Sequence, residues 1–98
     1  MKIGHNYFVY IVECSDKSYY TGITNDVDGR IHEHNSGNDE KSYTYNRRPV
    51  KLKFFERFQD VLQAIEFEKQ VKGWTRKKKK ALFISDWDEI KKLARKKL

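Results

Sequence analysis

Residues 7–25 read YFVYIVECSDKSYYTGITN. From Tyr7 to Glu13, Tyr7, Val9 and Ile11 alternate with Phe8, Tyr10 and Val12, so the segment is apolar on both faces. A strand of that kind is usually central to its sheet and covered twice. Ser15-Asp16-Lys17 supplies a turn, and Ser18 to Ile23 returns as the antiparallel partner. The returning strand ends in Tyr20-Thr21-Gly22, where glycine removes a side chain, a mark of close approach by backbone or ligand.

Moving outward, Thr24-Asn25-Asp26 offers capping side chains, with Asp28 opposing the helix dipole. The spacing predicts a helix from about Asp26 to Asn35, leaving through Gly37. Residues 38–49 are polar, end in Arg47-Arg48-Pro49 and read as an ordered loop. Val50, Leu52 and Phe54 alternate with Lys51 and Lys53 as a third strand. Asp60 with Gln63 resembles a capping box opening a helix to Lys72, stopped by Gly73. Thr75 starts another helix to about Phe83, and Ser85 with Asp88 caps a last one to Leu98. The expected class is α+β: a three-stranded, mainly antiparallel sheet with flanking helices, ordered β-β-α-β-α-α.

Ninety-eight residues allow one domain, 1–98, with a basic helical C-terminal part at 75–98. No run approaches the ~18 apolar residues of a membrane helix. The N-terminus shows no signal-peptide pattern, and the expected location is cytoplasmic. One cysteine, Cys14, excludes an intramolecular disulfide and a Cys-cluster zinc site. The net charge of +7 is unevenly placed. Residues 72–98 hold eleven Lys/Arg against three acids, and the rest of the chain is close to neutral. Such a block suits a polyanion, nucleic acid first, or is simply the solvated face of a lysine-rich helix.

Three features point to chemistry. On the helix ending at Lys72, Val61, Leu62, Ala64, Ile65, Phe67 and Val71 form one apolar arc, and Glu68 falls near its middle. A core-facing carboxylate needs a cation or hydrogen bonds to offset its desolvation. It is either a salt-bridge partner of an arginine or a metal ligand at a cleft floor. Arg30 and His34, four apart, share a helix face with Val27 and Ile31 and either line that cleft or lean over the core. The tyrosines are the third feature, since a buried phenol requires a hydrogen-bond partner.

Val9-Tyr10-Ile11, then Tyr20-Thr21-Gly22, then Arg30, His34 and Glu68, in that order and spacing, resembles the GIY-YIG nuclease superfamily, especially its small single-domain members. The resemblance also takes in RIHEHNSG, a YT pair before RRPVKL, and EFEKQVKGWTRKKKKAL, and runs from about Tyr7 to Trp87. It implies metal-dependent hydrolysis of DNA phosphodiesters, structure-selective and linked to repair or recombination. The protein would act as a monomer or with a partner protein, on branched or nicked DNA. One Mg²⁺ or Mn²⁺ on Glu68 would suffice, because Mg²⁺ keeps most of its waters. Arg30 would offset phosphoryl charge, and Tyr10 or Tyr20 would take a proton from water. Arg30 and the metal should lower the phenol's pKa. His34 would bond the phosphate or a tyrosine oxygen, or relay a proton, and Gly22 would allow backbone approach. Tyr43 and Thr44 would close one wall. Arg47, Arg48, Lys72, Arg76, Lys77, Lys78, Lys79 and Lys80 would contact phosphates, and Trp74 would stack on a base.

Two positions depart from the pattern. Val9 replaces a glycine, and no asparagine follows Glu68; Lys80, Phe83 or Ser85 stands where many catalytic members carry one. The alternative is therefore a non-catalytic nucleic-acid-binding domain on the same scaffold. A third reading is a module that docks acidic proteins through the lysine helix.

Overall fold

In the computed structural model, which describes residues 6–84, Tyr7–Glu13 (β1) lies between Tyr19–Thr24 (β2) and Lys51–Phe58 (β3). Both pairings are antiparallel. The turn works as its residues suggest: Asp16 accepts the Ser18 N–H at 3.0 Å and Lys17 takes a left-handed φ of 71°. Val27–Ser36 (α1) is capped by Asp26, which accepts from the Gly29 N–H, and leaves through Gly37 at φ 75°. Val61–Lys72 (α2) and Arg76–Phe83 (α3) complete the β-β-α-β-α-α order. Their caps, Asp60 and Thr75, accept from the N–H groups of Leu62 and Lys78. The helix expected from Ser85 to Leu98 lies outside the described residues.

β1 is covered twice, as its two apolar faces require. Ile11 packs with Val71 of α2 and with Ala81 and Leu82 of α3. Tyr10, Val12, Cys14 and Val50 form a second core on the opposite face, with Tyr20, Ile31 and Leu52 against it.

The third strand corrects the sequence reading. Ile11 pairs with Phe54 but Val12 pairs with Leu52, so Lys53 is an extra residue at a β-bulge. A bulge reverses the facing of everything beyond it. Leu52 therefore joins the Tyr10 core while Phe54 joins the Ile11 core, although simple alternation put them on one face. The arc on α2 is also narrower than expected, because its first turn is solvent-exposed, Leu62 to 70%.

The segment 38–49 is ordered around a 3₁₀ turn at Tyr45–Arg47. Arg47 fastens it to the hairpin: its carbonyl accepts the Ser15 N–H at 2.8 Å, and its Nε lies 3.0 Å from Asp16 Oδ2. The Asn35 side chain exchanges two hydrogen bonds with the Val50 backbone, tying the end of α1 to the start of β3.

Leu82 is 1% exposed, so Leu82→Ala should cost about 2–5 kcal/mol in chemical denaturation. The same change at Leu62 should stay within about 0.5 kcal/mol.

Candidate active site

The site starts from the pairing of Tyr10 with Gly22. The Tyr10 ring lies across the glycine: a Cβ added there would fall 2.7 Å from the phenol oxygen and 2.8 Å from Cζ. The close approach signalled by Gly22 is thus filled from within the protein by Tyr10. The phenol is only 2% exposed, and its oxygen meets His34 Nε2 at 2.9 Å. His34 Nδ1 in turn lies 2.8 Å from the fully buried Thr44 Oγ1, which is 3.3 Å from Ser42 Oγ. Both imidazole nitrogens are engaged inside the protein, so of the roles expected for His34 the structure displays the bond to a tyrosine oxygen.

Burial, reinforced by Tyr20, pushes the Tyr10 phenol well above the ordinary tyrosine range, and Arg30 only partly opposes this. The sequence reading expected Arg30 together with a metal ion to lower the value of Tyr10 or Tyr20; at Tyr10, Arg30 by itself does not. Desolvation of a phenolate inside the core outweighs a guanidinium at the solvent edge. Burial, then Arg30, holds His34 below its usual value of 6.5.

Tyr20 is half-buried and forms the outer layer. Its ring meets the His34 edge at 5.3 Å and stacks on Tyr43 at 5.8 Å and 25°. The Arg47 guanidinium lies over the Tyr43 ring, 4.0 Å from its centroid. Arg30 stands at the mouth, its Nε 3.4 Å from Glu33. Arg30, Glu33, His34, Asn38, Asp39 and Ser42 line an open cavity of about 250 Å³. Glu33 and Ser42 were not singled out from the sequence, although Glu33 lies on Arg30's face three residues on.

Glu68 comes in from α2, which packs closely on β2. Its side chain is 13% exposed, and its charge acts on Tyr10. The cation beside it is Lys72, four residues on, with Nζ 2.6 Å from Oε2, and not an arginine. That bond raises the Lys72 pKa, and Lys72 also feels Tyr20. Tyr20, Arg30, His34 and Glu68 are therefore each within electrostatic or direct contact of Tyr10. Among the described residues no group of three or more His, Cys, Asp or Glu side chains gathers as a metal cage.

Several expected phosphate contacts have other work in this structure. Arg47 binds Asp16 and the Tyr43 carbonyl. Arg48 donates to the Tyr45 carbonyl and covers that ring. Arg76 donates to the Lys17 carbonyl, approaches Glu13 at 3.7 Å and lies over Tyr19. Lys78 is 7% exposed with its ammonium over Trp74, whose ring packs against Phe67. Trp74 is partly buried against the Ile11 core, with the Lys78 ammonium over its ring. Burial lowers the Lys79 pKa, while Lys77 and Lys80 are exposed.

Comparison with known proteins settles the family. The sequence profile of the GIY-YIG catalytic domain matches residues 6–81. The chain belongs to the GIY-YIG family. A UPF0213 protein of Haloquadratum walsbyi is 50% identical over 76 residues, covering 78% of this chain and 84% of the relative. A UPF0213 protein of Bacillus pumilus is 47% identical over 75 residues, covering 76% of each chain. Among solved structures, an NMR structure of a UPF0213 protein from Bacillus halodurans is similar at 44% identity and a TM-score of 0.51. It covers 79% of this chain and 81% of that one. An NMR structure of an E. faecalis protein aligns at 31% identity and a TM-score of 0.60, covering 90% and 92%. GIY-YIG membership gives this chain a nuclease-type domain.

Two measurements check the geometry. Gly22→Ala should displace the Tyr10 ring and cost about 1–3 kcal/mol, read by denaturation and by Tyr10 ring NMR shifts. His34 should titrate below 6.5 in an NMR pH series. Its folded pKa is depressed, so its stabilising contribution is complete above 6.5 and disappears as pH falls through the folded value. His34→Gln should flatten that part of the stability profile.

Proposed function

We propose that this GIY-YIG domain is a metal-dependent endonuclease that hydrolyses DNA phosphodiester bonds, selecting DNA structure more than sequence and serving repair or recombination. The observation that carries the proposal is Glu68: a nearly buried carboxylate, within the field of Tyr10, whose oxygen already holds a cation. Binding DNA alone gives no reason to set a carboxylate beside a phosphate cleft, where it repels the backbone unless a cation neutralises it.

The residues present fit one Mg²⁺ or Mn²⁺. Glu68 offers a hard oxygen donor, the Lys72 ammonium is a stand-in positive charge on it, and a single carboxylate suits a cation that keeps most of its waters. Glu68 would hold the ion, which supplies Lewis-acid stabilisation of phosphate and leaving-group oxygens when bound. Arg30 at the cavity mouth would turn from Glu33 to the phosphoryl oxygens, where a guanidinium offsets accumulating negative charge.

Exposure divides the tyrosines. Tyr20 is half-buried and would take the proton from the attacking water. Tyr10 is sealed and strongly protonated, and would serve behind it as a positioning group. Lys72, Lys77 and Lys80, all exposed, would supply long-range attraction to the backbone, so affinity should fall as salt rises. The cytoplasm is the compartment this role implies.

A second reading, a non-catalytic DNA-binding domain, draws support from the missing amide after Glu68. Phe83 packs edge-on against Tyr19, and the Lys80 ammonium cannot accept as an amide does.

The two are separated by incubating the protein with branched, flapped, nicked and linear DNA and Mg²⁺ or Mn²⁺. Wild type should cut at least one substrate. Glu68→Gln and Arg30→Ala should each lose about 10²-fold or more in cleavage while binding is largely kept. Undiminished cutting by Glu68→Gln removes the metal-ligand assignment, and a wild type that binds but cuts nothing establishes the second reading.

A further inference from the structure

The buried hydrogen bonds behind the site have a direction. Tyr10 is protonated and sealed, so its O–H must find an acceptor. Among the described residues its hydrogen-bond partner is His34 Nε2, at 2.9 Å. If Nε2 accepts, a neutral His34 carries its proton on Nδ1. Nδ1–H must then donate to Thr44 Oγ1 at 2.8 Å, and the Thr44 hydroxyl passes its own proton to Ser42 Oγ at 3.3 Å. Ser42 lines the open cavity and can give its proton to water there. The reverse order, Ser42 to Thr44 to Nδ1 with Nε2–H donating to Tyr10, leaves the phenol proton buried without an acceptor. An unmet buried donor costs ~1–3 kcal/mol, enough to decide between the two.

We infer that Thr44, with Ser42 as its acceptor, is a positioning residue that sets His34 in the Nδ1–H tautomer and turns the Nε2 lone pair toward Tyr10. Tyr10 favours this tautomer by offering its proton to Nε2, and Thr44 completes it by accepting from Nδ1, without which either tautomer would leave one buried donor unmet. Arg30 and Glu33 act on His34 through charge, whereas Tyr20 meets it edge-on as a ring. The Thr44 hydroxyl is the hydrogen-bond partner described for Nδ1. Its position is stable because Thr44 is fully buried and its carbonyl accepts the Arg47 N–H at 3.0 Å, so the segment fastened to the hairpin by Arg47 also carries the tautomer-setting group. The consequence for cleavage rests on the nuclease reading above. A wrongly oriented imidazole would shift both Tyr10 and the Tyr20 ring packed against its edge.

The test is a long-range ¹H–¹⁵N correlation spectrum of the histidine rings at pH 8, without DNA or metal, with His34 assigned by its loss in His34→Gln. Wild type should give a pyrrole-type ¹⁵N signal at Nδ1 and a pyridine-type signal at Nε2; the opposite pattern overturns the inference. Thr44→Val, which keeps the shape and loses the hydroxyl, should move His34 toward the Nε2–H form, and Thr44→Ser should keep Nδ1–H. An unchanged tautomer in a folded Thr44→Val protein overturns it. Should that variant not fold, Ser42→Ala takes its place and must reduce the Nδ1–H population. In a cleavage assay Thr44→Val should lower kcat by on the order of tenfold to a hundredfold with KM little changed, and Thr44→Ser should restore it. A wild type with the expected tautomer but no nuclease activity would uphold the inference and refute the nuclease proposal instead.

Discussion

The site depends on one steric constraint: the Tyr10 ring occupies the space that a side chain at residue 22 would need. That fit is possible only with glycine opposite Tyr10 in the β1–β2 register. It buries a phenol, and a buried phenol requires a partner, which α1 supplies through His34. His34 in turn requires a partner, which the loop after α1 supplies through Thr44. Strand, helix and loop are thus placed relative to one another by successive demands to satisfy a buried polar group. The other core, around Ile11 and Leu82, anchors the two later helices by burial of apolar surface.

Charge is arranged the other way. The interior of the site holds groups kept neutral by desolvation, with Tyr10 pushed up and His34 pushed down. The ionised groups stand at the rim in two pairs along single helices, Arg30 with Glu33 and Glu68 with Lys72. Pairs with an exposed member hold weakly and exchange readily for other partners. A buried neutral interior beside a charged rim suits the proposed binding of a phosphate and a cation together.

The basic residues divide by chemistry more than by position. The three arginines around the hairpin and the 3₁₀ turn each engage a carbonyl and cover an aromatic ring, uses that suit a planar guanidinium with several donors. Lysines carry the remaining solvent-facing charge on α3. The apolar side of α3 packs with Ile11, on the face of the sheet opposite Tyr10. The lysines of α3 therefore do not build the interior of the site.

Local periodicity decided much of this molecule. Two apolar faces on residues 7–13 demanded a central strand, and Asp26, Asp60 and Thr75 capped helices within a residue or so of where the pattern put them. The ordered tyrosine, arginine, histidine and glutamate series marked the family. What the sequence could not disclose was decided by contacts between distant segments. A single extra residue, Lys53, sends Phe54 to the opposite core, and one-dimensional alternation carries no record of a bulge. The Tyr10 proton affinity follows from how completely other segments exclude water, and Arg47 and Arg76 take partners from a turn that only folding brings near. Short-range spacing governs which element forms, whereas desolvation and hydrogen-bond pairing depend on three-dimensional neighbours, and those exist only once the chain has closed.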